Sequence, residues 1–63
     1  MYKLGFTFKV KENGYIGVIN GVTTTGIYHV AFYENGKLLF QVEVCEGVIR
    51  NNLADGTYEE VKS

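Results

Sequence analysis

Few side chains in this sequence could do acid, base or nucleophilic chemistry. His29, Cys45 and Asp55 are each the only residue of their type, and the one serine is Ser63. Nucleophilic catalysis needs a nucleophile, a base within reach and a group to orient that base. Single copies in no shared motif exclude a triad, and the chain reads as non-enzymatic. Carboxylates occur in pairs as Glu43/Glu46 and Glu59-Glu60, the residue types of general acid/base work. Neighbours in a strand project to opposite faces, so Glu59 and Glu60 cannot flank one bond and are read as solvated charges. His29 and Cys45 are metal-ligand types, but two per chain without a spacing motif make no zinc set. No metal and no cofactor is expected, and Cys45 reads as a small packed hydrophobe. The glycines at 14, 17 and 21 lack the lysine and the following helix of a phosphate loop and read as twist points in strands.

Sixty-three residues with 46% hydrophobic content and a formal charge of −1 describe one small folded domain, residues 1–63. A single cysteine rules out an intrachain disulfide, which leaves self-association as the remedy for a small core. The basic residues are spread out: Lys3, Lys9, Lys11 and Lys37 against Glu12 and Glu34 in the first 37 positions, then Arg50 and Lys62 against five acids. A protein that displaces counterions from nucleic-acid phosphates concentrates its Lys and Arg. The opening MYKLGFTFKVK alternates polar and apolar, unlike the continuous apolar core of a signal peptide, and no apolar run reaches membrane-spanning length. The expectation is a soluble protein of the reducing cytoplasm, with no membrane partner.

Strands must position these side chains. Val, Ile, Thr, Tyr and Phe supply 26 of the 63 residues and proline is missing, a balance that favours strand over helix. Tyr2, Leu4, Phe6, Phe8 and Val10 alternate with polar residues, the period-two pattern of a half-buried strand. Glu-Asn-Gly follows that run at 12–14 and recurs at 34–36. A two-residue loop at either site would mix polar and apolar side chains on the inner face. A three-residue loop closed by a left-handed glycine keeps the face apolar. That register pairs Val10 with Ile16, Phe8 with Val18, Leu4 with Val22 and Phe32 with Leu38. It puts Tyr28, Val30 and Phe32 on one face with Leu38, Phe40, Val42 and Val44. It also sets His29 on the outer face, opposite Gln41 and diagonal to Glu43, where a carboxylate would favour the imidazolium. Val48-Ile49 reads as a short strand, residues 51–56 as a turn or single helical turn, and 57–62 as the last strand.

The fold expected is all-β: a small five-stranded barrel or strongly bent antiparallel sheet, built from two hairpins plus a C-terminal strand. The succession FTFKVKENGYIGVING, GIYHVAFYENGK and LLFQVEV resembles the SH3-like small barrels of bacterial and translation-associated proteins. In those a "G.+G.V" hairpin precedes a "Y.V.F..G" strand, matched here by Gly14, Gly17 and Val18, then Tyr28, Val30, Phe32 and Gly36. The resemblance implies a fold shared by proteins with unrelated roles. Many of them hold RNA or DNA through exposed basic residues, which are largely lacking here.

Tyr15, Ile19, Ile27, His29, Ala31, Tyr33 and Leu39 fall on the outer face in this register, more apolar character than a small monomer shows to water. The leading expectation is therefore a non-enzymatic protein-interaction module, an adaptor or small inhibitor, that forms a homodimer through that face. One alternative is a nucleic-acid-binding small barrel, which requires Lys9, Lys11, Lys37 and Arg50 to converge. Another is a small-ligand site at a subunit junction, with Tyr15, Tyr33 and His29 supplying polar tips on apolar bodies.

Overall fold

Alternating β-branched and aromatic residues build four consecutive strands, β1 (Thr7–Val10), β2 (Ile16–Val22), β3 (Ile27–Glu34) and β4 (Lys37–Cys45). Helix α1 (Glu46–Ala54) follows, and β5 (Tyr58–Glu60) ends the fold. The computed structural model describes residues 2–62. The sheet order is β4-β3-β2-β1-β5, so α1 leaves one edge of the sheet and delivers β5 to the other. Every pairing is antiparallel. The sheet stays open, a bent antiparallel sheet rather than a closed barrel.

The first strand is shorter than its alternation predicts. Phe6 N–H donates to the Lys3 carbonyl at 3.0 Å, and Gly5, at φ 89°, closes a turn there. Leu4 is left exposed rather than opposite Val22, while Tyr2 and Phe6 still pack against the core.

The two Glu-Asn-Gly segments form two different loops, neither of them the three-residue loop expected. At the first, Val10 N–H bonds Tyr15 and Gly14 N–H returns to the Val10 carbonyl at 2.7 Å, so residues 11–14 make a four-residue loop. Gly14 takes positive φ, and the register moves by one, to Phe8 opposite Gly17 and Thr7 opposite Val18. At the second, Glu34 pairs with Lys37, and Asn35 and Gly36 both have positive φ, at 52° and 80°. That is the type I′ loop whose twist matches a hairpin. A bulge at Leu39 then shifts the pairing, setting Phe32 opposite Phe40, Val30 opposite Val42 and Tyr28 opposite Val44. Those three apolar pairs share a face, as the sequence predicts; Leu38 does not join them, because it pairs with Tyr33. The three-residue loop with its closing left-handed glycine occurs instead at Thr24-Thr25-Gly26. There Thr23 N–H bonds the Ile27 carbonyl, Gly26 N–H bonds that of Thr23, and Gly26 sits at φ 85°.

The core lies between the inner face of the sheet and α1. Phe8, Val10, Ile19, Tyr28, Val30, Phe32 and Ile49 form it, with Tyr2, Phe6, Tyr15, Val42, Val44, Leu53 and Tyr58 packed around them. The Tyr28 hydroxyl is not orphaned by burial: it accepts from Tyr2 N–H at 3.0 Å and donates to Glu46 at 3.3 Å. Phe8 is the centre of the aromatic packing, stacked on Tyr58 at 4.3 Å and edge-on to Phe32 at 5.9 Å. Its ring lies over Gly17, where an added Cβ would collide with the ring carbons. Gly17→Ala should therefore cost about 1–3 kcal/mol by overpacking. Urea denaturation of Gly17→Ala in wild type and in Phe8→Leu checks this, since a smaller partner should relieve most of the loss.

Residues 46–54 form a helix, which corrects the expectation of a strand at Val48-Ile49. Helical spacing puts Ile49 and Leu53 on one face against the sheet, and Glu46 and Arg50 pair at 3.8 Å one turn apart. Gly56, at φ 87°, ends the turn that follows. The last strand is accordingly three residues long, not six.

Partial burial raises the Tyr58 phenol above its ordinary value of 10.0, because the charged phenolate is the form that burial disfavours. A raised folded-state pKa gives stability that is complete below the unfolded pKa and lost as pH rises through the folded one. Alkaline pH should thus destabilise the fold, and Tyr58→Phe should lose less between neutral pH and the tyrosine range in urea titrations at each pH.

Candidate interaction surface

Edge strands are where a small sheet meets other molecules, because their outer backbone groups have no ladder partner. Here the edges are unequal: β5 has three residues and β4 has nine. Proteins blunt such edges with proline, short length or charges, and β4 has only Lys37 and Glu43 for that purpose. Between them Leu38, Leu39 and Phe40 are 52%, 40% and 45% exposed, three consecutive large apolar side chains on one free edge. Phe40 is held in place from the inner side, stacked on Phe32 at 5.1 Å and edge-on to Tyr15 at 6.3 Å.

The outer face of the sheet adjoins this edge. Register sets Lys9, Ile16, Tyr33 and Leu38 in one cross-strand row, and Thr7, Val18, Ala31 and Gln41 in the next. Ile27, His29 and Tyr33 lie on this face as expected, by alternation along β3. Leu39 sits at its margin as the bulged residue.

Ile19 and Tyr15 do not belong to the outer face. Ile19 is fully buried in the core and Tyr15 packs against that core from the inner side. Both corrections follow from the four-residue first loop. Sliding β2 by one turns Gly17 and Ile19 inward and Ile16 and Val18 outward. Ile16, Val18 and Leu38 are the outer-face residues that sequence reasoning missed. A glycine set opposite a phenylalanine was the available signal, since a ring can occupy the space that a side chain would take.

His29 faces Glu43 directly rather than diagonally, with Nδ1 3.5 Å from the carboxylate. Gln41 lies opposite Ala31 instead. The pair is a solvent-facing cross-strand contact, its side chains 38% and 66% exposed. Tyr15 is separated from Tyr33 and His29 by the thickness of the sheet, so the three polar tips of the ligand-site alternative do not come together. Nor do the four basic residues. Lys9 is on the outer face opposite Glu59 of β5, and Lys11 is in the first loop. Lys37 starts β4 at the far edge of the sheet, and Arg50 is on α1, across the sheet from Lys9 and paired with Glu46.

Among the described residues no three His, Cys, Asp or Glu side chains gather in a metal-binding group, and no pocket is enclosed. No helix among them is long and apolar enough to cross a membrane. No family model matches the chain, and no curated protein and no solved structure matches it.

Proposed function

We propose that this chain is a non-enzymatic protein-interaction module, an adaptor or small inhibitor of the cytoplasm, that self-associates as a two-fold dimer. Self-association uses the apolar margin of the sheet at β4, and the adjoining outer face at Ile27, His29 and Tyr33 is the surface offered to a target protein. The observation that carries this reading is the run Leu38-Leu39-Phe40, 40% or more exposed throughout on the longer free edge of the sheet. Burial of such surface favours association by roughly 25 cal/mol per Å² before the costs of association are subtracted. Dimers with two-fold symmetry are the commonest closed solution.

Leu39→Glu tests it. Leu39 is a bulged and exposed residue, so the substitution should leave the melting temperature nearly unchanged while placing an unpaired carboxylate in the contact. Sedimentation equilibrium should show the dissociation constant rising about tenfold or more, a loss of about 1.4 kcal/mol. An unchanged constant would take the Leu38-Leu39-Phe40 run out of the contact and overturn the reading.

A further inference from the structure

We infer that the two copies join through β4 itself, strand against antiparallel strand, with the two-fold axis at Val42, making one continuous ten-stranded sheet. The inference rests on the self-association reading above and names its geometry. Beyond the bulge at Leu39, residues Phe40 to Val44 pair regularly with β3, and only a regular stretch can support a second ladder on its other side. Centring the axis on Val42 uses just that stretch. Phe40 of each copy then lies beside Val44 of the other, and the two Val42 side chains meet at the axis. These three residues face the core side of the sheet, opposite Phe32, Tyr28 and Val30, so the apolar inner layer would run unbroken from one copy into the next.

On the outer face the same register sets Gln41 of each copy against Glu43 of the other. The carboxamide N–H₂ can donate to the carboxylate, and this happens twice across the axis. Neighbouring registers are worse for identifiable reasons. An axis at Glu43 opposes two carboxylates, and an axis at Gln41 draws the bulged Leu39 into the ladder opposite Glu43. A one-residue slip would pair an inner-face residue with an outer-face one. The strand is thus self-complementary about one point. Joined in this way, Leu39 of each copy would flank the ladder beside Cys45 of the other, and Ile27, His29 and Tyr33 of both copies would share a single doubled outer face, free for a target protein.

Two measurements on the full chain test this. Cys45 is the only cysteine and is exposed, so one spin label per copy reports the geometry. Three residues from the axis on each strand, the two labelled positions should lie about 20 Å apart, from the ~3.4 Å rise per residue. Gln41→Glu should weaken the dimer about tenfold by opposing two pairs of carboxylates, and Gln41→Glu with Glu43→Lys should restore it to within about threefold. Sedimentation equilibrium reads both variants. A dimer whose label separation is clearly different, or whose affinity ignores Gln41→Glu, or in which the double variant is not rescued, overturns the β4 pairing while leaving self-association intact. A wild-type chain that stays monomeric overturns both.

Discussion

Phe8→Ala is expected to leave the protein largely unfolded at room temperature. The ring is 1% exposed, stacks on Tyr58, meets Phe32 edge-on and covers Gly17. Removing it deletes contacts to three other strands at once and leaves a cavity that a glycine neighbour cannot fill. Phe→Ala in a packed core costs about 3–5 kcal/mol, and native domains hold only about 5–15 kcal/mol in total, the smallest of them near the lower end. Circular dichroism melts should show the folded baseline lost or the transition moved far down in temperature. A loss below about 1 kcal/mol would mean that Phe8 is not at the centre of the core.

Ile49→Ala carries the second large effect, about 2–5 kcal/mol, and it should be felt at both ends of the sheet. Ile49 is fully buried and is the helix residue at the middle of the core. Helix α1 depends on its docking, since nine residues are too few for a helix to be stable alone in water and Cys45 at its start makes no side-chain cap. Beside Ile49, the part-buried Leu53 and the Tyr28–Glu46 bond tie it to the sheet. Docking through Ile49 therefore holds the helix, and the helix in turn delivers β5 to β1. Hydrogen exchange should show protection lost together in α1 and β5, with the β2–β3 ladder the last to open. The exposed neighbour Val48 provides the control, as Val48→Ala should change stability by no more than about 0.5 kcal/mol. Equal losses at both positions would contradict the docking of the helix.

What could be read from the sequence, and what could not, divides at the turns. Alternation located β2, β3 and β4, and the pairing of Tyr28, Val30 and Phe32 with the Phe40–Val42–Val44 face was legible because only one parity keeps that face apolar. The device that achieves it was not legible. A type I′ loop and a bulge three residues later give the same face as the three-residue loop expected there, and the sequence around Leu38-Leu39 does not distinguish them. At the first hairpin, the expectation rested on giving every inner position an apolar side chain. Phe8 instead fills the space over Gly17, a solution visible only once ring and backbone are placed together. The helix was missed because β-branched Val48 and Ile49 suggested a strand. The stronger signals were the Ile49/Leu53 spacing, the Glu46/Arg50 pair and Gly56 beyond the end.

The same register change decides the candidate surface. Ile27, His29, Tyr33 and Leu39 were legible because β3 alternates without interruption and Leu39 lies beyond the turn. Ile19 and Tyr15 were lost to the core when β2 slid by one. What replaced them, Leu38 and Phe40 on a free edge, shifts the weight of the surface from the middle of the face to the β4 margin, where a second copy can add hydrogen bonds as well as apolar contact.

Sedimentation equilibrium of the wild-type chain over micromolar to millimolar concentration reads self-association itself. A reversible rise from the mass of one chain to that of two is expected, with no larger species. A single-chain mass across the whole range would contradict it.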